Sequence, residues 1–248
     1  MLLDAIFKRP KSAPPAKPLP RIELPQGYVS FVALMVAKKG GVGKSSVAVH
    51  IGVAAACDGL RVLILDTDLD EEQQNCLHWY ARRQKAYPGH TNLKVMPCAI
   101  HKTEKAIAWA RKQGFDLIIV DTAGRDFVHM AALADQSDFM LSPGQMSQND
   151  LDATGSLRRL WSRPGTPSAI VVNGAIQEDS PRTRYFWKKY SELGPVLPSV
   201  LVRRVEYIDA MSRGMGVSEY RPYGPGDLEI RRLIREMFSR AKKRGIVQ

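Results

Sequence analysis

The 248-residue chain is 44% hydrophobic and 25% charged, a balance that suits one large α/β domain with a real core. No apolar run reaches the roughly 18 residues of a membrane span, and Asp4 with the basic group Lys8, Arg9 and Lys11 breaks the N-terminus where a secretory leader needs an apolar stretch. Cys57, Cys76 and Cys98 lack C-x-x-C spacing and the five histidines form no ligand-spaced pair, which excludes a disulfide framework and a His/Cys metal centre. The net charge of +11 is uneven: residues 1–30 carry five Lys/Arg against two Asp/Glu, residues 31–180 sixteen of each, and residues 181–248 fifteen against seven. A basic C-terminal quarter on a neutral body points either to a polyanion partner or to a solvated face that only keeps the protein dissolved.

Pro10, Pro14, Pro15, Pro18, Pro20 and Pro25 crowd one stretch, a density that forbids a helix and favours an extended linker. The expectation is a flexible extension over 1–27, a folded domain over 28–239 and a basic tail over 240–248. Within the extension, Met1 to Arg9 reads as a short amphipathic segment or a disordered end. From Tyr28 the chain alternates strand and helix. Strands are predicted at Tyr28 to Ala37, Arg61 to Asp66, Leu93 to Pro97, Asp116 to Asp121, Phe139 to Ser142 and Ala169 to Val172. Helices are predicted at Ser45 to Asp58, Glu71 to Lys85, Lys102 to Gln113 and Asp150 to Trp161. Short continuous apolar runs separated by helices predict an α/β fold, a mostly parallel twisted sheet with helices on both faces. A final helix follows from Leu228, Ile230, Leu233, Ile234, Met237 and Phe238, with Arg231, Arg232 and Arg235 placed off its apolar face.

The strongest chemical signal is Lys39-Gly40-Gly41-Val42-Gly43-Lys44-Ser45-Ser46. It follows a predicted strand and opens a predicted helix, the context of a phosphate-binding P-loop. Glycines let the backbone turn its N–H groups onto phosphate oxygens, and the helix start adds its positive dipole end. Lys44 is expected to reach the β- and γ-phosphates and the Ser45 hydroxyl to bind Mg²⁺. Asp121 ends the apolar run Leu117-Ile118-Ile119-Val120, the Walker-B pattern for a metal-holding acid, and Gly124 suits a loop that rearranges on hydrolysis.

The loop departs from G-x-x-x-x-G-K-[ST]: Lys38 replaces the first glycine and Lys39 supplies a second lysine. In this it resembles the ParA/MinD family of deviant Walker-A ATPases, whose signature is K-G-G-x-G-K-[ST]. The resemblance runs from about Phe31 to Phe238 and is closest to small ParA-type partition ATPases. It implies ATP and Mg²⁺ as cofactors and a nucleotide-sandwich homodimer. Lys39 would then cross to the opposite subunit's phosphates and act as an arginine finger does. By position in Asp66-Thr67-Asp68, Asp68 looks like the residue that orients water near the metal, although Leu69 stands where the family has proline; a helix-capping role for Asp68 is open beside it. Leu141 to Ser147 resembles the family's I-P-V-Q-P-S stretch, and Asn173 stands where the family places a base-contacting residue.

Some members of that family bind non-specific DNA as ATP dimers; others bind membrane through a terminal amphipathic helix. The chain ends in Arg240, Lys242, Lys243 and Arg244 with only Ile246 and Val247 apolar, which favours phosphate contact over insertion. Candidate DNA contacts are therefore Arg203, Arg204, Arg213, Arg221, Lys242, Lys243 and Arg244. The expected function is a slow Mg-dependent ATPase whose ATP-driven dimerisation and sequence-neutral DNA binding partition DNA or position a large protein cargo. It would work with an activating partner of the ParB or cargo-adaptor type, in the cytoplasm on the nucleoid. The alternatives are a membrane-associated MinD-like positioning ATPase and a signal-recognition-type GTPase. The latter shares the string Asp121-Thr122-Ala123-Gly124-Arg125, but the T-K-x-D guanine motif does not follow Val172.

Overall fold

The computed structural model describes residues 20–68, 70, 74–124, 127–161 and 165–241. Its strands are β1 (Phe31–Met35), β2 (Val62–Asp66), β3 (Leu93–Pro97), β4 (Leu117–Asp121), β5 (Phe139–Gln145), β6 (Ser168–Ala175) and β7 (Val196–Val202). They form one parallel sheet in the order β3-β2-β4-β1-β5-β6-β7. The helices are α1 (Lys44–Cys57), α2 (Asn75–Ala86), α3 (Thr103–Lys112), α4 (Phe127–Gln136), α5 (Gln148–Gly155), α6 (Arg158–Trp161), α7 (Pro181–Leu193), α8 (Val205–Ser212), α9 (Val217–Tyr220) and α10 (Pro225–Ser239).

Alternation along each strand divides the core into two layers. Phe31, Ala33 and Met35 of β1 face α1, α2, α9 and α10 together with Val49, Trp79 and Ile234. Val32 and Leu34 face α3 and α4 with Ile107, Leu133 and Ala134. The far end of that second layer is closed by Leu151, Trp161, Phe186 and Tyr190. Every residue of β1, β2 and β4 is buried, as expected of parallel strands covered on both sides.

Several sequence expectations are corrected here. The helix expected over Asp150 to Trp161 is two helices, α5 and α6. The strand at Phe139 runs on through Pro143 to Gln145. Pro143 is tolerated because Val36 N–H to the Leu141 carbonyl is the last bond toward β1, so the missing donor two residues on faces a strand that has ended. Helices α4 and α7 and strand β7 were not anticipated. Residues 20–27 are not free of the domain: Ile22 is buried in the core and its N–H donates to Asp58 Oδ2 at 2.6 Å. Arg231, expected off the apolar face of α10, is buried, with its guanidinium against Asp58 at 2.6 Å and Asp227 at 2.9 Å. A planar donor fork held by two carboxylates can leave water where a lone charge cannot. Residues 1–19, including the amphipathic segment Met1 to Arg9, lie outside the described residues.

Helix α2 is pinned to the turn before α9. Trp79 is fully buried and its indole N–H donates to the Met215 carbonyl at 3.1 Å. Arg83 donates to the Gly214 carbonyl at 3.0 Å and to both oxygens of Glu219 at 2.7 and 2.8 Å. Gly214 has φ +69, and a Cβ there would stand 2.6 Å from the Arg83 nitrogen, so only glycine admits this approach. Trp79→Ala removes the largest buried side chain of the junction and its hydrogen bond; chemical denaturation of that variant is expected to show a loss of about 3–5 kcal/mol.

Candidate nucleotide site

The site stands where β1, β2 and β4 end, the C-terminal crevice at which open parallel sheets bind ligands. The chain leaves β1 at Met35 and enters α1 at Lys44. Gly41 has φ +77 and Gly43, the residue that starts α1, has φ +95. No side chain caps α1 and its first turn holds no acid, which leaves its leading N–H groups and positive dipole end available to an anion. Two side chains from neighbouring strands and one from α5 hold the loop. Gln145 donates to the Gly41 carbonyl at 2.9 Å, Asn173 donates to the Val42 carbonyl at 2.7 Å, and Lys39 Nζ stands 3.2 Å from Asp150 Oδ2. Asp150 is itself bonded to Ser147, which caps α5. The two lysines differ in setting: Lys44 is buried at the cleft floor, whereas the Lys39 side chain is 44% exposed at the rim.

Asp66 and Asp121 end adjacent strands in direct register. The Asp66 carboxylate accepts from the backbone N–H groups of Asp68 and Leu77. Asp121 accepts from the Cys76 thiol at 3.3 Å and from the Ser45 side chain, and its Oδ1 is buried without a partner. Thr122 Oγ1 donates to the Met35 carbonyl at 2.6 Å, and Ala123 N–H donates to Thr67 Oγ1, so the three strand ends are tied together. A Cβ on Gly124 would come within 3.2 Å of the Ala37 and Lys38 carbonyls, which places the loop after β4 against the P-loop.

Burial pushes the Asp66 carboxyl up to about 6, helped by the adjacent Asp121 charge and opposed by its two backbone hydrogen bonds. Asp121 is raised by burial, against the pull of Ser45, Cys76 and the Lys44 charge. Lys44 is lowered by burial, with Asp121 and Asp68 acting to raise it. An orphaned carboxylate oxygen beside a serine hydroxyl and two further acids fits a hard divalent cation, which takes oxygen ligands.

Two clefts meet over the loop. The polar one, about 420 Å³, is walled by the P-loop, Asp68, Asp121 and the loop to Gly124. The other, about 450 Å³, is mainly apolar and runs from Ser46 and Val47 past Asn173 to Leu201, Tyr207 and Met211. Asn173 thus supports the P-loop from the wall of the apolar cleft. Of the expected DNA contacts, Arg203, Arg204 and Arg221 line a third cleft together with Tyr220, and Arg213 stands 5.1 Å over the Tyr220 ring. These four therefore lie in one region. Arg204 is paired with Glu229 at 2.6 Å and Arg221 with Glu206 at 3.0 Å. Lys242, Lys243 and Arg244 lie outside the described residues, as do Leu69 and Arg125. Asp66, Cys76, Gln145 and Asp150 were not anticipated as site residues. Asp66 had a readable signal, since Val62-Leu63-Ile64-Leu65-Asp66 ends in an acid just as the fourth strand does.

Two predictions follow from this geometry. In Gly43→Ala the new methyl meets Asn173 Nδ2 at 2.5 Å in a backbone region that L-residues avoid; denaturation is expected to show a loss of about 1–3 kcal/mol, with nucleotide binding lost as well. Asp66 holds its proton more tightly folded than unfolded, so its contribution to stability is complete below about 3.8 and is lost as pH rises through about 6. Thermal unfolding of the metal-free protein should therefore show wild type losing stability relative to Asp66→Asn across that window.

Comparison with known proteins bears on the family and the fold. The family model for the ATPase MipZ matches residues 31–159, more than half of the chain. A 41-residue stretch is 54% identical to the cytosolic Fe-S cluster assembly factor CFD1 of Eremothecium gossypii, covering 16% of this chain and only 15% of that protein. The septum site-determining protein MinD of Pyrococcus horikoshii, solved with Mg-ADP, superposes with a TM-score of 0.66 at 16% identity over 84% of this chain and 95% of its own. A ParA family ATPase of Chlorobium tepidum gives 0.62 at 19% identity over 81% and 96%. With its two-lysine loop, its paired strand-end acids and a match across the first half of the nucleotide fold, the chain belongs to the MipZ ATPase family, within the ParA/MinD class of deviant Walker-A ATPases.

Proposed function

We propose that the protein is a slow, Mg-dependent positioning ATPase whose ATP-bound homodimer grips DNA without sequence preference and releases it after hydrolysis. The observation that carries this reading is the contrast between the two lysines. Lys44 is buried where the terminal phosphates of ATP would lie, while Lys39 is at the rim, held by one carboxylate. A cation so placed can exchange Asp150 for the phosphates of a facing subunit.

In this mechanism the backbone N–H groups from Gly40 to Ser46 cradle the phosphates. Lys44 spans the β- and γ-phosphates, and Ser45 and Asp121 would be the residues that hold Mg²⁺. When bound, Mg²⁺ neutralises charge on the β- and γ-oxygens. Asp68 orients the attacking water, and Lys39 of the facing subunit stabilises the charge that develops during transfer. The apolar cleft takes the base, with Asn173 at its wall. The MinD relative solved with Mg-ADP supports both cofactors.

DNA contact falls to the Arg203–Arg221 region and the basic tail Lys242 to Arg244. Within that region Arg203 is exposed, whereas Arg204 and Arg221 are engaged by carboxylates, so Arg203 and the tail carry most of the phosphate contact. DNA is favoured over a membrane surface because Ile230, Leu233, Ile234 and Met237 of α10 are consumed by the core. No helix among the described residues is long and apolar enough to cross a membrane. An activating partner of the ParB or cargo-adaptor type would trigger hydrolysis, and nucleoid DNA in the cytoplasm would be the matrix on which cargo is moved or spaced.

The test is binding to a random-sequence duplex without nucleotide, with ADP and with ATP, across a salt series. The expected result is tight binding only with ATP, a log–log salt slope near about −4.5 for roughly five neutralised phosphates, loss in Lys39→Ala, and loss of nucleotide binding itself in Lys44→Ala. Absence of DNA binding in every nucleotide state would overturn the DNA reading and direct attention to anionic vesicles.

A further inference from the structure

The wall of the nucleotide cleft opposite the P-loop is helix α2. Directions on a helix recur about every 3.6 residues, so Asn75, His78 and Arg82 fall in one stripe and Cys76, Trp79 and Arg83 in the next. The second stripe is the buried one, fastened by Trp79 and Arg83 to the Gly214–Met215 turn. The first stripe therefore has a fixed direction, and all three of its members line the polar cleft.

Arg82 extends further than its stripe-mates. With Ser46 and Met211 it lines both the polar and the apolar cleft, and it is the charged member of that boundary set. Its side chain is exposed and makes no hydrogen bond or ion pair among the described residues. A nucleotide that lays its terminal phosphates on the loop and its base in the apolar cleft must carry its innermost phosphate and ribose across this boundary. Lys44 is committed to the far end, at the β- and γ-positions, which leaves the α-phosphate without a side-chain cation of its own.

We propose that Arg82 binds the α-phosphate of the nucleotide held by its own chain. The inference rests on the nucleotide reading above and adds to it a cation from outside the loop motif. The guanidinium is a planar donor fork suited to phosphate oxygens, and a charge-assisted contact of this kind changes affinity by roughly tenfold. Because the α-phosphate is common to nucleoside di- and triphosphates, ADP and ATP should depend on Arg82 equally. This separates Arg82 from Lys39, whose partner is reached only across a closed dimer.

The experiment is calorimetric titration of ADP and of ATP, each with Mg²⁺, into the full chain as wild type, Arg82→Ala, Arg82→Lys and Lys44→Ala. The expected result is an approximately tenfold weakening of both nucleotides by the same factor in Arg82→Ala, partial recovery in Arg82→Lys, and an unchanged nucleotide-free thermal midpoint. Unchanged affinities in Arg82→Ala would overturn the proposal. A loss confined to ATP would overturn it too, by assigning Arg82 to a contact between subunits. Failure of the wild type to bind either nucleotide would sink the parent reading instead, and this inference with it.

Discussion

Everything at this site depends on holding two carboxylates at the ends of adjacent buried strands and an ammonium at the start of the helix that follows the loop. Asp66 and Asp121 stand side by side and Lys44 feels the charges of Asp121 and Asp68, in a place where Asp66, Asp121 and Lys44 are all poorly solvated. Removing charge from water is expensive unless opposite charge and hydrogen bonds answer it. The surrounding architecture supplies part of that answer: backbone N–H groups for Asp66, a thiol and a hydroxyl for Asp121, and the Asp121 and Asp68 carboxylates for Lys44. The remainder, the bare Oδ1 of Asp121, is left unanswered by the described residues and has the hard oxygen character that suits a divalent cation. The apolar sheet beneath makes the site selective for ligands that bring balancing charge.

That arrangement also explains why the P-loop is held from outside its own motif. Glycines give the loop its shape but no rigidity, so its carbonyls are fixed by Gln145 from β5 and Asn173 from β6. The strand order places β5 next to β1 and β6 next to β5, which brings these amides within reach. The Lys39–Asp150 pair extends the same support to the rim, joining a half-exposed lysine to a buried carboxylate, so that Lys39 leaving Asp150 strands a charge away from water.

The chemical string of the loop, the acids after β2 and β4 and the class of the fold were legible because they lie in contiguous residues with a strand–loop–helix frame. What was not legible depended on register or on packing between distant segments. Asp66 carried a local signal as the acid ending an apolar run, but its pairing with Asp121 depends on β2 lying beside β4 at the same height, a relation that one strand's residues do not contain. Strand β7 was hidden by Pro198, which the sheet tolerates beside a register shift on an edge strand. Helix α7 buries only Thr183, Phe186 and Tyr190, too sparse a stripe to stand out among its charges. Arg231 defied the usual expectation that arginine on a surface helix faces water, because Asp58 comes from a helix end 173 positions away.

The latch at Asp58 has a mechanical meaning. Helix α1 begins at the phosphate loop and ends beside Asp58, a rod about 21 Å long at 1.5 Å per residue. Its distal end is gripped by Arg231 and by the backbone of Ile22. Residues 20–22 thus meet the domain at the foot of the rod whose head forms the loop. The P-loop and the Asp58 latch are the two ends of one rigid element, and a shift of the helix along its axis at either end displaces the other.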